Sequence, residues 1–148
     1  MEQLTHYYFV ESNIDDPTFI FKSNGINGTI IKVVQFTKTA QEKYLNLSLG
    51  DYDAMTGLID YDIISNNGDT HIILLTIAAI VESFISKNHD VTIYAIGSTR
   101  SRTRLYQIGI AKNIIMIEQG FKILGLYENE WGDFKIGKTY DAFLIKKK

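Results

Sequence analysis

The spacing of apolar residues changes character near the middle of the chain. Through the first half they fall in short runs rich in β-branched and aromatic residues: Tyr7 to Val10, Thr18 to Lys22, Thr29 to Phe36 and Lys43 to Leu49. Such runs predict strands. Asn24-Gly25 and Asn27-Gly28 are hairpin turn signals, and Leu49-Gly50-Asp51 closes a strand. Leu58 to Ser65 alternates in part and reads as one more strand, ended by Asn66-Asn67-Gly68-Asp69.

From Thr70 to Lys87 the period becomes helical. Ile73, Ile77, Ile80, Val81, Phe84 and Ile85 follow helical spacing, and Ile72, Leu74, Leu75, Ala78 and Ala79 make the segment apolar nearly all round. Such a helix is expected in the middle of the fold, with Asp69 as its N-cap. Val91 to Ile96 reads as a short buried strand. A second helix is predicted from about Ser101 to Ile117, with Leu105, Ile108, Ala111 and Ile115 on one stripe. Phe121 to Tyr127 and Tyr140 to Ile145 follow as two strands, joined by the polar loop Glu128 to Thr139.

The β–α–β unit predicts one parallel pair, Leu58–Ser65 with Val91–Ile96, joined by a right-handed crossover. The expected fold is α/β in the α+β sense: a single mixed, mostly antiparallel sheet with one parallel pair and two main helices. Residues 1–148 are long enough for one domain with a real core.

Composition narrows the chemistry. A hydrophobic content of 45% with 22% charged residues is a globular balance. The net charge of -2 gives no global pull toward nucleic acid or membrane, so an anion-binding surface has to be local. Without cysteine there are no disulfides, no thiol catalysis and no cysteine-ligated zinc. His6, His71 and His89 lie far apart without metal-ligand spacing, and Asp51, Asp53, Asp60 and Asp62 read as solvated hairpin charges before they read as a magnesium site. No metal is expected. The N-terminus lacks the basic region of a signal peptide, and Ile72 to Ile85 is read as too short and too interrupted to span a bilayer. A cytoplasmic protein with no membrane partner is expected.

Arginine usage stands out. All three arginines, Arg100, Arg102 and Arg104, lie within five residues, while the lysines are scattered. Arginine offers a planar fork for phosphate or carboxylate that lysine lacks. Ser98, Thr99, Ser101 and Thr103 surround the cluster with hydroxyls, and Gly97 ends the preceding strand. A strand, a turn and a helix N-terminus form an anion-binding corner. Its occupant would be a phosphate-bearing small molecule, nucleic acid or an acidic protein partner; equally, the arginines could pair with aspartates of their own fold. Asn66, Asn67 and Gly68 could present backbone amides to a phosphate, or form a turn with a capping Asp69. His71 is either an acid–base group near neutral pH or a hydrogen-bonded structural residue. Trp131, with Tyr127 and Phe134 nearby, either stacks on a partner or folds back onto the sheet. Lys146 to Lys148 form a basic tail, most simply a solvated end, that could also add to a phosphate-binding surface.

The order of elements resembles the GNAT superfamily of acetyltransferases. Asn66-Asn67-Gly68-Asp69 leads into the long helix where that family has its pyrophosphate loop, and Leu105-Tyr106 opens the next helix where the family often has a Leu-Tyr pair. Gly120-Phe121, Gly125 and Tyr140-Asp141-Ala142-Phe143-Leu144 resemble its closing strands. The resemblance covers about two-thirds of the chain and implies an acyltransferase relative in which Tyr106 would protonate a leaving thiolate. It also implies acetyl-CoA as cofactor, but Asp69 and Thr70 stand where the family's loop needs a second small residue, which disfavours that cofactor. The strings SNNGD and GST-x-x-RTRLY also resemble an uncharacterised family of small proteins, mainly from Bacteroidetes.

Overall fold

Alternation in the first half sorts side chains onto the two faces of a strand meander. The computed structural model describes residues 5–12, 16–61 and 67–148. β1 (Phe9–Ser12), β2 (Thr18–Gly25), β3 (Gly28–Lys38) and β4 (Tyr44–Asp53) pair antiparallel in that order. Phe19 lies opposite Val34 and Phe36 opposite Leu47, so these residues share one face. The expected turn between β2 and β3 forms, with Ile26 and Asn27 at its tip and Gly28 at a φ of 85° that a side chain would oppose.

β4 runs past the expected stop at Gly50 and turns back into β5 (Leu58–Asp60), with Asp51 opposite Asp60. α1 (Thr70–Lys87) then crosses one face and returns the chain as β6 (Thr92–Ala95). The single parallel pair is β4 with β6, Tyr44 beside Thr92 and Leu47 beside Ala95. This corrects the expected pairing of Leu58–Ser65 with Val91–Ile96. A tight turn ties β5 antiparallel to the far end of β4, which leaves the near end of β4 free for β6. Residues 62–66, and with them Asn66 and Asp62, lie outside the described residues.

α2 (Arg100–Lys112) follows β6 and breaks at Asn113 before α3 (Ile114–Glu118), where a single helix to Ile117 was expected. The Asn113 side chain donates to the Gly109 carbonyl at 2.9 Å at this break. β7 (Phe121–Tyr127), β8 (Glu130–Asp133) and β9 (Phe143–Lys147) complete the sheet in the order β1-β2-β3-β4-β6-β9-β7-β8, with β5 beside β4. β8 lies in the segment read as a loop. Its four residues are all exposed, so no alternation marks it, and its turn uses Glu128 and Asn129 at positive φ instead of a glycine.

α1 supplies the centre of the core. Ile73, Ile77, Ile80, Val81, Phe84 and Ile85 are buried, and Phe84 stacks on Phe36 with centroids 4.3 Å apart. With 18 residues and a mean hydropathy of 1.5, α1 reaches the length and apolarity of a membrane span, contrary to the sequence expectation; in this fold one side of it, from Ile73 to Ile85, is buried in the core. α2 lies on the same face, and a side chain at Gly109 would meet Leu74 of α1 at 3.2 Å. Both helices begin at the edge of the sheet where β4 and β6 end.

Candidate ligand-binding site

The arginine corner is assembled as expected, but its donors are turned inward. Thr99 caps α2 by accepting from the Arg102 amide at 3.2 Å. Thr103 Oγ1 accepts from the Gly97 amide at 2.9 Å and donates to the Thr99 carbonyl at 3.2 Å. Ser98 Oγ donates to the Tyr61 carbonyl at 2.7 Å. Arg102 is only 6% exposed, and its Nη1 donates to the carbonyls of Leu49 and Tyr61, both at 2.6 Å. It thus fills the interval where the β4–β6 ladder has ended and β5 has taken over that edge. Gly97 permits the approach, since a Cβ there would sit 2.5 Å from the Thr103 amide nitrogen. Arg100 and Arg104 are exposed, and Arg104 reaches Thr139 Oγ1 at 3.3 Å. The three arginines do not converge. Asp51, one of the aspartates that could have paired with them, is held by Lys32 at 2.6 Å in a buried ion pair.

The second corner is equally occupied. Asn67 is 1% exposed; its side chain donates to Ser23 Oγ and the Gly28 carbonyl and accepts from the Asn27 amide. Its own carbonyl accepts from the Ile26 amide at 3.1 Å. The loop is therefore bolted to the β2–β3 turn, so closely that a Cβ at Gly25 would fall 1.8 Å from the Asn67 carbonyl oxygen. Asp69 stands at the N-cap position of α1 without a side-chain capping bond. Its Oδ2 instead accepts from Tyr7 and Ser23 hydroxyls, each at 2.5 Å, and Oδ1 is buried without a partner among the described residues. Burial, then the bond to Asp69, pushes the Tyr7 phenol above its ordinary range. Gly68 is exposed with a φ of 80°.

A third place has the opposite character. Below their contact at Leu74 and Gly109, α1 and α2 leave an apolar cleft of about 600 Å³ over the sheet. One wall is Leu74, Leu75, Ala78 and Ala79 of α1; the other is Tyr106, Gly109 and Ile110 of α2, continued by Met116 and Ile117 of α3. Leu47, Ala95, Ile123 and Ile145 of the sheet form the floor. Its remaining polar lining groups are His6, Glu82 and Gln119. Tyr106 is 6% exposed, and its hydroxyl has no hydrogen-bond partner among the described residues. Burial pushes this phenol up to about 12, against a smaller opposing effect of the Arg102 charge one turn earlier. It therefore keeps its proton at neutral pH and can serve as a donor.

Tyr106 was legible as a candidate, but the cleft was not. Its signal is the second apolar stripe of α1, the Leu74, Leu75, Ala78 and Ala79 side that reads in sequence as more core. Elsewhere, Phe134 is buried against Tyr140 and Phe143, whereas Trp131 meets Tyr94 edge-on and stays exposed on β8. His71 is half-buried in the first turn of α1. Among the described residues no cluster of acidic or histidine side chains is placed to hold a metal. The model of DUF6934, a family of unknown function, matches residues 3–148, and the chain belongs to that family. No curated protein and no solved structure matches it.

Proposed function

Taking the chain as a member of that family, we propose that it is a small-molecule-binding domain whose ligand occupies the α1–α2 cleft, built on a GNAT-like frame that has given up its cofactor corner. The observation that carries this reading is Tyr106, a buried phenol that lines an apolar cleft and has no partner among the described residues. Pockets of this size and polarity, with few polar groups, are the usual form of small-ligand sites. The GNAT relation is supported by the order of strands and helices around the parallel pair. Against acetyl-CoA stand Asn67, spent on the β2–β3 turn, and the Asp69 carboxylate beside the start of α1. The absence of cysteine is in keeping with a cytoplasmic setting.

The test uses diphenylhexatriene, a rod-shaped hydrocarbon that fluoresces in apolar surroundings. Saturable fluorescence with the wild-type protein, reduced by Ala78→Phe with unchanged circular dichroism, is expected, together with no calorimetric heat from acetyl-CoA. Micromolar acetyl-CoA binding that disappears in Gly68→Val would overturn the reading in favour of a cofactor-dependent transferase. A second reading rests on Arg100 and Arg104, exposed one turn apart on α2, as a docking point for a phosphate group or an acidic partner. Loss of binding to phosphate-bearing ligands on Arg→Lys at these positions, without a change in stability, would favour it.

A further inference from the structure

The cleft is elongated and has two chemically different ends. Its α1 wall runs from Leu74 to Glu82, roughly 12 Å at about 1.5 Å per residue. Counted from the Leu74–Gly109 contact, Tyr106 lies one turn toward the start of the helices and Glu82 two turns the other way. The Tyr106 end offers a neutral donor, with the Arg102 cation one turn beyond it. The opposite end carries the exposed Glu82 carboxylate, and the stretch between is aliphatic.

We propose that the cleft holds an unbranched acyl chain, its carbonyl oxygen accepting from the Tyr106 hydroxyl and its tail extending past Ile110 toward Met116 and Ile117. The proposal rests on the reading of the cleft as the ligand site and names what fills it. A nucleotide or sugar would bury many polar groups against Leu, Ile and Ala side chains, each unpaired group costing about 1–3 kcal/mol. A plain hydrocarbon would leave the Tyr106 hydroxyl unpaired. A head group with an acceptor satisfies it, and negative charge is favoured at the Arg102 end and opposed at the Glu82 end. Free fatty acids and acyl esters both present this carbonyl to one donor and a chain to the walls.

Calorimetry and displacement of diphenylhexatriene separate these cases. Dodecanoate and methyl dodecanoate are each titrated against wild-type protein and Tyr106→Phe. Displacement by either is expected, and in Tyr106→Phe the affinity for the acyl compound relative to the hydrocarbon falls about tenfold, the effect of one buried hydrogen bond. Displacement by the acid alone assigns a free fatty acid, and by the ester alone an esterified chain. A cleft that binds diphenylhexatriene but neither acyl compound overturns the acyl assignment while leaving the ligand-site reading intact. So does an unchanged affinity ratio in Tyr106→Phe. No binding of any of the three compounds overturns both.

Discussion

The arginine corner and the α1–α2 cleft start less than two turns apart on the same helix, and they use their polar groups in opposite ways. At the corner, Thr99, Thr103, Ser98 and Arg102 are all engaged with backbone groups of the same fold. In the cleft, the Tyr106 hydroxyl has no partner among the described residues and its neighbours along the walls are mainly aliphatic. The dense cluster is thus a latch and the sparse one is the candidate site. Density of polar residues reports where the chain needs hydrogen bonds; an unspent group at an accessible surface reports where a ligand can supply one.

The largest test of this contrast is Arg102→Ala. Removing the guanidinium leaves the Leu49 and Tyr61 carbonyls without this donor, and a stability loss of about 2–5 kcal/mol is expected in urea unfolding. Arg102→Lys should recover less than half of it, because the shorter lysine side chain ends before the position from which Nη1 donates to both carbonyls. A loss under about 1 kcal/mol would mean that the latch carries no load.

An alkaline titration addresses the other region. The Tyr106 phenol is raised to about 12 by burial, whereas in the unfolded chain it ionises near its ordinary value of 10.0. Over that window the unfolded state binds fewer protons than the folded one, so stability falls as pH rises. The stabilisation is complete below about pH 10 and is lost by about pH 12, in all about 2–3 kcal/mol at 1.36 kcal/mol per unit. Tyr106→Phe should flatten this limb, with smaller slopes remaining from Tyr7 and Tyr61, which are also raised. An identical alkaline limb in wild type and Tyr106→Phe would show that the phenol already reaches water.

The smallest expected effect lies on the outer side of the corner. Arg100→Lys and Arg104→Lys should each change stability by no more than about 0.5 kcal/mol, since both side chains are exposed. A larger loss from Arg104→Lys would move that residue into the latch, through Thr139.

The strands of the meander, the long apolar helix and the existence of one parallel pair were readable from local pattern. Strand alternation and helical spacing are properties of neighbouring residues, so Ile77 and Phe84 reach the core as expected, and Phe19, Val34 and Phe36 of the expected strands join them. The partner of β6 was not readable, because a parallel pair is chosen by which edge remains open after β5 has folded back, and no local spacing encodes that. β8 escaped for the reverse reason: fully exposed, it needs no pattern.

The three arginines and Tyr106 were identifiable as residues, and their roles were not. A side chain's type sets what it can donate, while its partners depend on segments distant in sequence: Leu49 and Tyr61 for Arg102, and the β2–β3 turn for Asn67. Sequence by itself determined the meander strands and the long apolar helix, the lack of cysteine chemistry and the concentration of arginine at one strand-to-helix corner. Only tertiary structure decided that this corner closes on itself, and that the second apolar stripe of α1 faces a cleft instead of a neighbour. The physical reason is that helical periodicity shows which residues avoid water, and only the packing of α1 and α2 around Leu74 and Gly109 determines what stands on the other side.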